Sequence, residues 1–272
     1  TGGSSTEGGS SAMIEIVDLS ITYKTESHDV SAVKNAFLSI PRGRITGLVG
    51  ESGSGKSSLL MAIPGLLPSN TEVSGAVIFD NLNLISLRPE MLNAIRWKDI
   101  ALIPQGAMNS FTPVLTIGKH IEEVLAIHLG LSGEARRHRC RSLLEEADLE
   151  WSLANRYPHE LSGGQKQRAA IATALACDPD FLLADEPTTA LDVITQKEII
   201  LTLERLARGR NMGLLLVTHD LPLAVQICDA IAVMHEGEIV EEGAPADIVT
   251  KPRHRHTTQL VKALLELEGE YV

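Results

Sequence analysis

The sequence predicts an α/β fold with a parallel sheet and helical crossovers, and three observations carry that prediction. A β-type run at 44–49 turns through a glycine-rich loop directly into a helix over 55–63. Near-continuous apolar runs at 181–184 and 214–217 read as strands covered on both faces. Helical periodicity fills the stretches between strand signals, as crossovers to a parallel sheet require. In order, strands are expected at 14–19, 36–40 and 44–49. Leu59, Leu60 and Ile63 mark the first helix, and Pro64-Gly65 ends it. Strands follow at 77–79, within an early β-rich part, and at 100–103. From 117 to 153 the period turns helical, with Ile121, Val124, Leu125 and His128 on one side and Leu143, Leu144 and Ala147 on another, which reads as an inserted helical lobe. A helix after Ser162, another over 195–208, a hairpin spanning 231–240 and short helices at 246–249 and 258–267 complete the chain. Residues 1–12, TGGSSTEGGSSA, read as a flexible leader or linker.

Composition narrows the class of function. The chain has 272 residues, 44% hydrophobic and 22% charged, enough for one large domain or two small ones and too apolar for disorder. Only 3% is aromatic, so aliphatic side chains must fill the core. A net charge of −11 repels phosphate backbones, which argues against nucleic acid as a partner. No window reaches the roughly 18 consecutive apolar residues of a membrane span. Cys140, Cys177 and Cys228 are widely spaced, match no metal-ligand pattern and read as free thiols, the latter two as small core residues.

Three motifs carry chemistry. Gly50, Glu51, Ser52, Gly53, Ser54, Gly55, Lys56 and Ser57 satisfy GxxxxGK[ST] between a strand and a helix, so the motif is more than a glycine turn. Its backbone N–H groups can face phosphate oxygens, Lys56 can reach the terminal phosphates and Ser57 can ligate Mg²⁺. The apolar run at 181–184 ends in Asp185 and Glu186. Asp185 is placed to hold Mg²⁺ through water, and Glu186 to orient or deprotonate an attacking water. Alone, such a pair reads as a solvated turn. Finally, Ser162 is a good N-cap ahead of Gly163, Gly164 and Gln165, which makes a second helix start open to an anion; taken singly it reads as a capped helix.

A phosphate loop, a Leu-Ser-Gly-Gly-Gln sequence at 161–165 and an apolar strand ending Asp185-Glu186, in that order, resemble the nucleotide-binding subunit of ATP-binding cassette transporters. The resemblance covers about 14 to at least 243 and implies a RecA-like P-loop NTPase core with an N-terminal antiparallel β subdomain and an inserted α-helical subdomain at about 106–178, within an ATPase domain of 13–250 followed by a tail of 251–272. It implies that Tyr23 stacks on adenine, that Gln105 touches Mg²⁺ and water, and that His219 contacts the γ-phosphate. Ser58 joins the phosphate-binding set, and Asp192, in Ala190-Leu191-Asp192, crosses a dimer interface. Catalytic roles would fall to Glu186, His219, Lys56 and Gln105, and metal ligation to Ser57, Gln105 and Asp185. Two subunits would meet head to tail, so that Ser162, Gly163, Gly164 and Gln165 of one close over ATP held by the other. Transmembrane permease subunits, a second identical or paralogous ATPase subunit and an extracytoplasmic solute-binding protein are the implied partners, and the cytoplasmic face of the membrane the implied location.

The segments 49–57, 184–193 and 109–118 look more closely like the ATPase subunits of oligopeptide, dipeptide and nickel importers. The tail follows that group's Pro-x-x-His-Pro-Tyr-Thr-x-x-Leu ending only in part, since Arg255-His256 departs from its order and lacks the Pro-Tyr pair. The alternating Arg253, His254, Arg255 and His256 read as solvated, as do Glu236, Glu238, Glu241 and Glu242 in the last hairpin. The rival readings are a non-transport ATPase of the same superfamily, for repair, ribosome or assembly work; a small-molecule kinase; and a module that holds ATP without turnover. The last requires loss of Glu186 or His219, and both are present.

Overall fold

The computed structural model describes residues 13–269, with side chains through 263; the leader at 1–12 and the last three residues lie outside the described residues. The central sheet has six strands in the order β10-β9-β3-β8-β7-β6. They are β3 (Ile45–Val49), β6 (Ile100–Ile103), β7 (Phe181–Asp185), β8 (Gly213–Thr218), β9 (Ala230–His235) and β10 (Glu238–Gly243). The first five run parallel and β10 returns antiparallel to β9. All five parallel strands therefore end at one edge, where the segments after Val49, Ile103, Asp185 and Thr218 emerge together. A second sheet, β2-β1-β4-β5, is antiparallel and comprises β1 (Met13–Tyr23), β2 (Val30–Pro41), β4 (Thr71–Phe79) and β5 (Leu82–Asn83).

Side chains of the central strands alternate between two cores, which is why their sequences are apolar throughout. Leu182, Ala184, Leu214 and Leu216 enter one core with the helical lobe. Phe181, Leu183, Leu215 and Val217 enter the other, shared with α1 (Lys56–Ala62) and the antiparallel sheet. Phe79 meets Phe181 edge-on, with ring centroids 5.8 Å apart, and joins the sheets. Between β5 and β6 lies α2 (Pro89–Ile95), with Leu92 buried. The inserted lobe consists of α3 (Ile117–Leu129) and α4 (Gly133–Glu146), parted by a left-handed Gly130, with short 3-10 turns leading to α5 (Gly163–Ala174). Then come α6 (Val193–Gly209), α7 (Leu221–Ile227), α8 (Pro245–Thr250) and α9 (Arg255–Gly269). Among the described residues no helix is long and apolar enough to cross a membrane.

Every expected strand is present, but β1 and β2 run well past their apolar cores. Register shifts between Ile16 and Leu19, and the left-handed Asp18 and Asn35, break the alternation that the sequence reading follows. The seven-residue helices α2 and α7 are not expected from periodicity. All three cysteines are buried thiols, and burial pushes Cys140 and Cys228 up to about 12.

The readings of solvated surface hold for Glu236, Glu238, Glu242, Arg253 and Arg255, which are exposed, and fail at His256 and Glu241. His256 is buried, its ring stacks on His235 at 3.8 Å, and its Nε2 has no hydrogen-bond partner. Glu241 accepts the backbone N–H groups of Arg253 and His254, each at 2.9 Å, so one carboxylate caps the turn into α9. A charged stretch reads as exposed only until the fold supplies a wall behind it.

Candidate functional site

The phosphate loop leaves β3 and returns as α1. Gly55 has φ 105°, and a Cβ on it would lie 2.1 Å from the carbonyl oxygen of Ala32. Only glycine permits that approach. Lys56 is 4% exposed and its Nζ donates to the carbonyls of Gly50 at 2.8 Å and Glu51 at 2.6 Å, and to Ser54 Oγ at 3.3 Å. Burial holds its pKa below the ordinary lysine value, against the raising influence of Glu186, Asp185 and Glu51. The ammonium is thus parked within the loop where a phosphate could take over its bonds. The loop is braced from the turn between β9 and β10, with Gly237 N–H donating to Ser54 O at 3.0 Å. Glu51, Ser52 and Gly53 are exposed at the loop's rim. Tyr23, at the end of β1, donates from its hydroxyl to Ser58 Oγ at 2.9 Å, which puts the aromatic beside α1.

Ser57 Oγ donates to Asp185 Oδ1 at 3.1 Å, bringing the loop's hydroxyl and the end of β7 together across 128 residues of sequence. Asp185 is 1% exposed, and burial raises its pKa despite the Ser57 hydrogen bond and the Lys56 charge. A buried carboxylate beside a hydroxyl is an all-oxygen donor pair suited to a hard divalent cation, which would relieve the burial penalty. The next residue, Glu186, has left-handed φ 45° and its side chain is 15% exposed. Its backbone N–H bonds Val217 O at 2.9 Å, fixing it between β7 and β8. Gln105 Nε2 donates to Glu186 Oε2 at 3.3 Å, Thr189 Oγ1 donates to the same oxygen at 2.9 Å, and His219 Nδ1 lies 3.3 Å from Oε1. Gln105, Glu186 and His219, read singly from distant stretches of sequence, meet in one cluster. Thr189 was not singled out by the sequence; its position three residues after Glu186 in a turn is the signal that points to it.

Ser162 caps α5 through a complete capping box: its Oγ accepts Gln165 N–H at 3.2 Å, and Gln165 Oε1 accepts Ser162 N–H at 3.0 Å. Gly163 packs on the loop after Glu186 and Gly164 on the first turn of α6. A Cβ on Gly163 would stand 3.0 Å from Leu191 Cδ2, and one on Gly164 2.7 Å from Thr195 Cγ2. Asp192 caps α6, accepting Thr195 N–H at 3.0 Å and Thr195 Oγ1–H at 2.7 Å, and these bonds hold its carboxyl below the usual range. Val193 and Ile194 beside it are 80% and 74% exposed. Next to the Gln105 loop, an apolar cleft of about 320 Å³ opens between the central sheet and the lobe, lined by Trp97, Leu102, Pro104, Phe111 and Ala170 among others.

Comparison with known proteins gives the family. A family model described as ABC transporter matches residues 33–189. The oligopeptide transport ATP-binding protein OppD of Salmonella typhimurium is 38% identical over 263 residues, covering 95% of this chain and 78% of that protein. The dipeptide transport ATP-binding protein DppD of Haemophilus influenzae is 39% identical over 263 residues, covering 95% and 80%. Among solved structures, the ATP-binding cassette MJ0796, in a dimeric post-hydrolysis state bound to ADP and Pi, superposes with a TM-score of 0.77 at 36% identity, covering 85% of this chain and 98% of that one.

Proposed function

The chain belongs to the ABC transporter family and is an ATPase coupled to transport, and on that premise we propose that it powers import of peptides or related small solutes by ATP-driven, head-to-tail dimerisation. ATP binds with its phosphates on Gly50 to Ser58 and its adenine against Tyr23. Lys56 gives up its bonds to Gly50, Glu51 and Ser54 for phosphate oxygens. Ser57, Asp185 and Gln105 are the oxygen donors that would hold Mg²⁺. Bound there, Mg²⁺ supplies charge neutralisation at the β- and γ-phosphates.

The observation that carries this reading is the Glu186 cluster at the strand ends, beside the Ser57–Asp185 pair. A carboxylate held there orients a water whose oxygen bonds the γ-phosphorus. The bond to the β–γ bridging oxygen breaks, its electron pair leaves with ADP, and the water's proton passes to Glu186. His219, beside Glu186, supplies the contact to the γ-phosphate in this reading. Ser162, Gly163, Gly164 and Gln165 of a second ATPase subunit, identical or paralogous, close the site from the front, with Asp192 at the same interface. Closure is passed to a permease helix seated in the apolar cleft beside Gln105, which places the chain at the cytoplasmic face of a membrane, in a system that also has an extracytoplasmic solute-binding protein.

Phosphate release and light scattering test this on wild type and Glu186→Gln. Turnover should fall at least ~100-fold in the variant while ATP traps a dimer. A variant that hydrolyses ATP normally would remove Glu186 from its role, and a wild type that binds no ATP would end the reading.

A further inference from the structure

Glu186 carries its carboxylate on a flexible two-carbon stem, so one backbone anchor does not fix where its oxygens point. Three groups reach it, and they are not equivalent. Gln105 is exposed, comes from a loop 81 residues away and approaches at a long 3.3 Å. His219 addresses the other oxygen, and its side chain is 63% exposed. Thr189 is three residues along the same turn, closed by Thr189 N–H to Glu186 O at 3.2 Å, and its hydroxyl makes the shortest of the three contacts. The turn is itself held: Thr188 is 8% exposed and its carbonyl accepts Gln196 Nε2 of α6 at 3.3 Å. A β-branched threonine has few accessible χ1 states, so its hydroxyl stays aimed.

We infer that Thr189 is a positioning residue for hydrolysis. It keeps Oε2 of Glu186 engaged, whether or not the Gln105 loop is in contact, so that Oε1 receives the water's proton once His219 has turned from it to the γ-phosphate. The inference rests on the assignment of Glu186 as the base. It divides the cluster by function: Gln105 can leave for a ligand or follow the permease without loosening the base, because a local bond in the same turn holds the carboxylate.

The test compares Thr189→Val, which keeps the branched shape and loses the hydroxyl, with Thr189→Ser, which keeps the hydroxyl. Thr189→Ala serves as a second deletion should valine perturb folding. Each is measured in the native complex, captured from membranes by an affinity tag on this chain. Valine or alanine should lower kcat about tenfold with KM for ATP unchanged within about twofold, and serine should restore most of it. Affinity for a fluorescent ATP analogue should stay at the wild-type value while the ATP-bound dimer persists longer. Glu186→Gln should show no further loss when Thr189→Val is added. Wild-type turnover in both deletions, with Glu186→Gln inactive, overturns the role of Thr189 alone. Wild-type turnover in Glu186→Gln overturns the base on which it rests. Equal losses in valine, alanine and serine variants would make the residue structural and also refute the inference.

Discussion

The phosphate loop and the start of α5 are both glycine-rich segments that open a helix, yet their glycines answer to different constraints. At the loop the constraint is backbone: Gly55 is left-handed and faces the Ala32 carbonyl, and the lysine that follows is already bonded to the loop it serves. At α5 the constraint is side-chain packing, with Gly163 and Gly164 against Leu191 and Thr195, and the hydrogen bonds of Ser162 and Gln165 close on each other. One glycine segment closes on backbone of its own chain. The other packs on Leu191 and on Thr195 of α6, with Ser162 exposed at its capped start, which suits the half-site proposed for a second subunit.

Breaking the first constraint should have the largest effect. Gly55→Ala forces a Cβ against Ala32 O at a left-handed φ, and strain with a backbone clash should cost about 2–4 kcal/mol. A nucleotide-binding assay and a thermal melt should show lost ATP affinity together with a lowered Tm. Unchanged affinity would mean the loop has freedom its packing denies.

The second constraint should give a smaller and separable effect. Gly164→Ala sets a methyl 2.7 Å from Thr195 Cγ2, an overpacking worth about 1–3 kcal/mol, and should slow turnover while leaving ATP affinity intact. Thr195→Ser removes that methyl and keeps the hydroxyl that bonds Asp192. The double variant should recover most of the turnover. No recovery would show that the α5 start is not keyed through Thr195.

These contrasts also show what the sequence made legible. Lys56, Ser57, Asp185 and Glu186 announce themselves because the GxxxxGK[ST] pattern has a fixed place after a strand, and strands buried on both faces, with carboxylates at their ends, are conspicuous. The order of strands in the sheet then brings Gln105 and His219 to the same edge, where both reach Glu186. Thr189 was silent, since a hydroxyl three residues past a carboxylate is common and only the left-handed turn at Glu186 brings them together. Asp148 was equally silent. It accepts Arg168 and Arg205 at 2.8 Å each, tying the end of α4 to α5 and α6, but its left-handed backbone and its partners 20 and 57 residues away leave no periodic trace. In the tail, Arg253 and Arg255 are exposed as their charge suggests, while the burial of His256 leaves no trace in charge patterning, which carries no information about the wall that α9 packs on.

That tail gives the smallest effect, and one confined to the phosphate-loop side of the comparison. His256 stacks on His235 of β9, the strand leading into the turn that braces the loop, and His254 Nδ1 accepts His256 N–H at 3.2 Å. The charged groups around His256 are His235, His254, Glu51 of the loop and Glu236 of the hairpin turn. Burial, with the two histidines, lowers its pKa below 6.5, while the two glutamates oppose the shift. A base with a lowered folded-state pKa binds fewer protons folded than unfolded, so docking is intact above 6.5 and weakens as pH falls through that value toward the lowered one. Hydrogen exchange, corrected for its intrinsic pH dependence, should show a severalfold loss of protection at the His256 and Thr258 amides between pH 7.5 and 5.5, with the Gln165 amide of α5 unaffected. In His256→Phe, which keeps a flat ring against His235 without a titrating nitrogen, that pH response should vanish. A response that persists would remove His256 as its source, and one that reaches Gln165 would mean the loop and the α5 start are coupled through the fold more tightly than their separate packing implies.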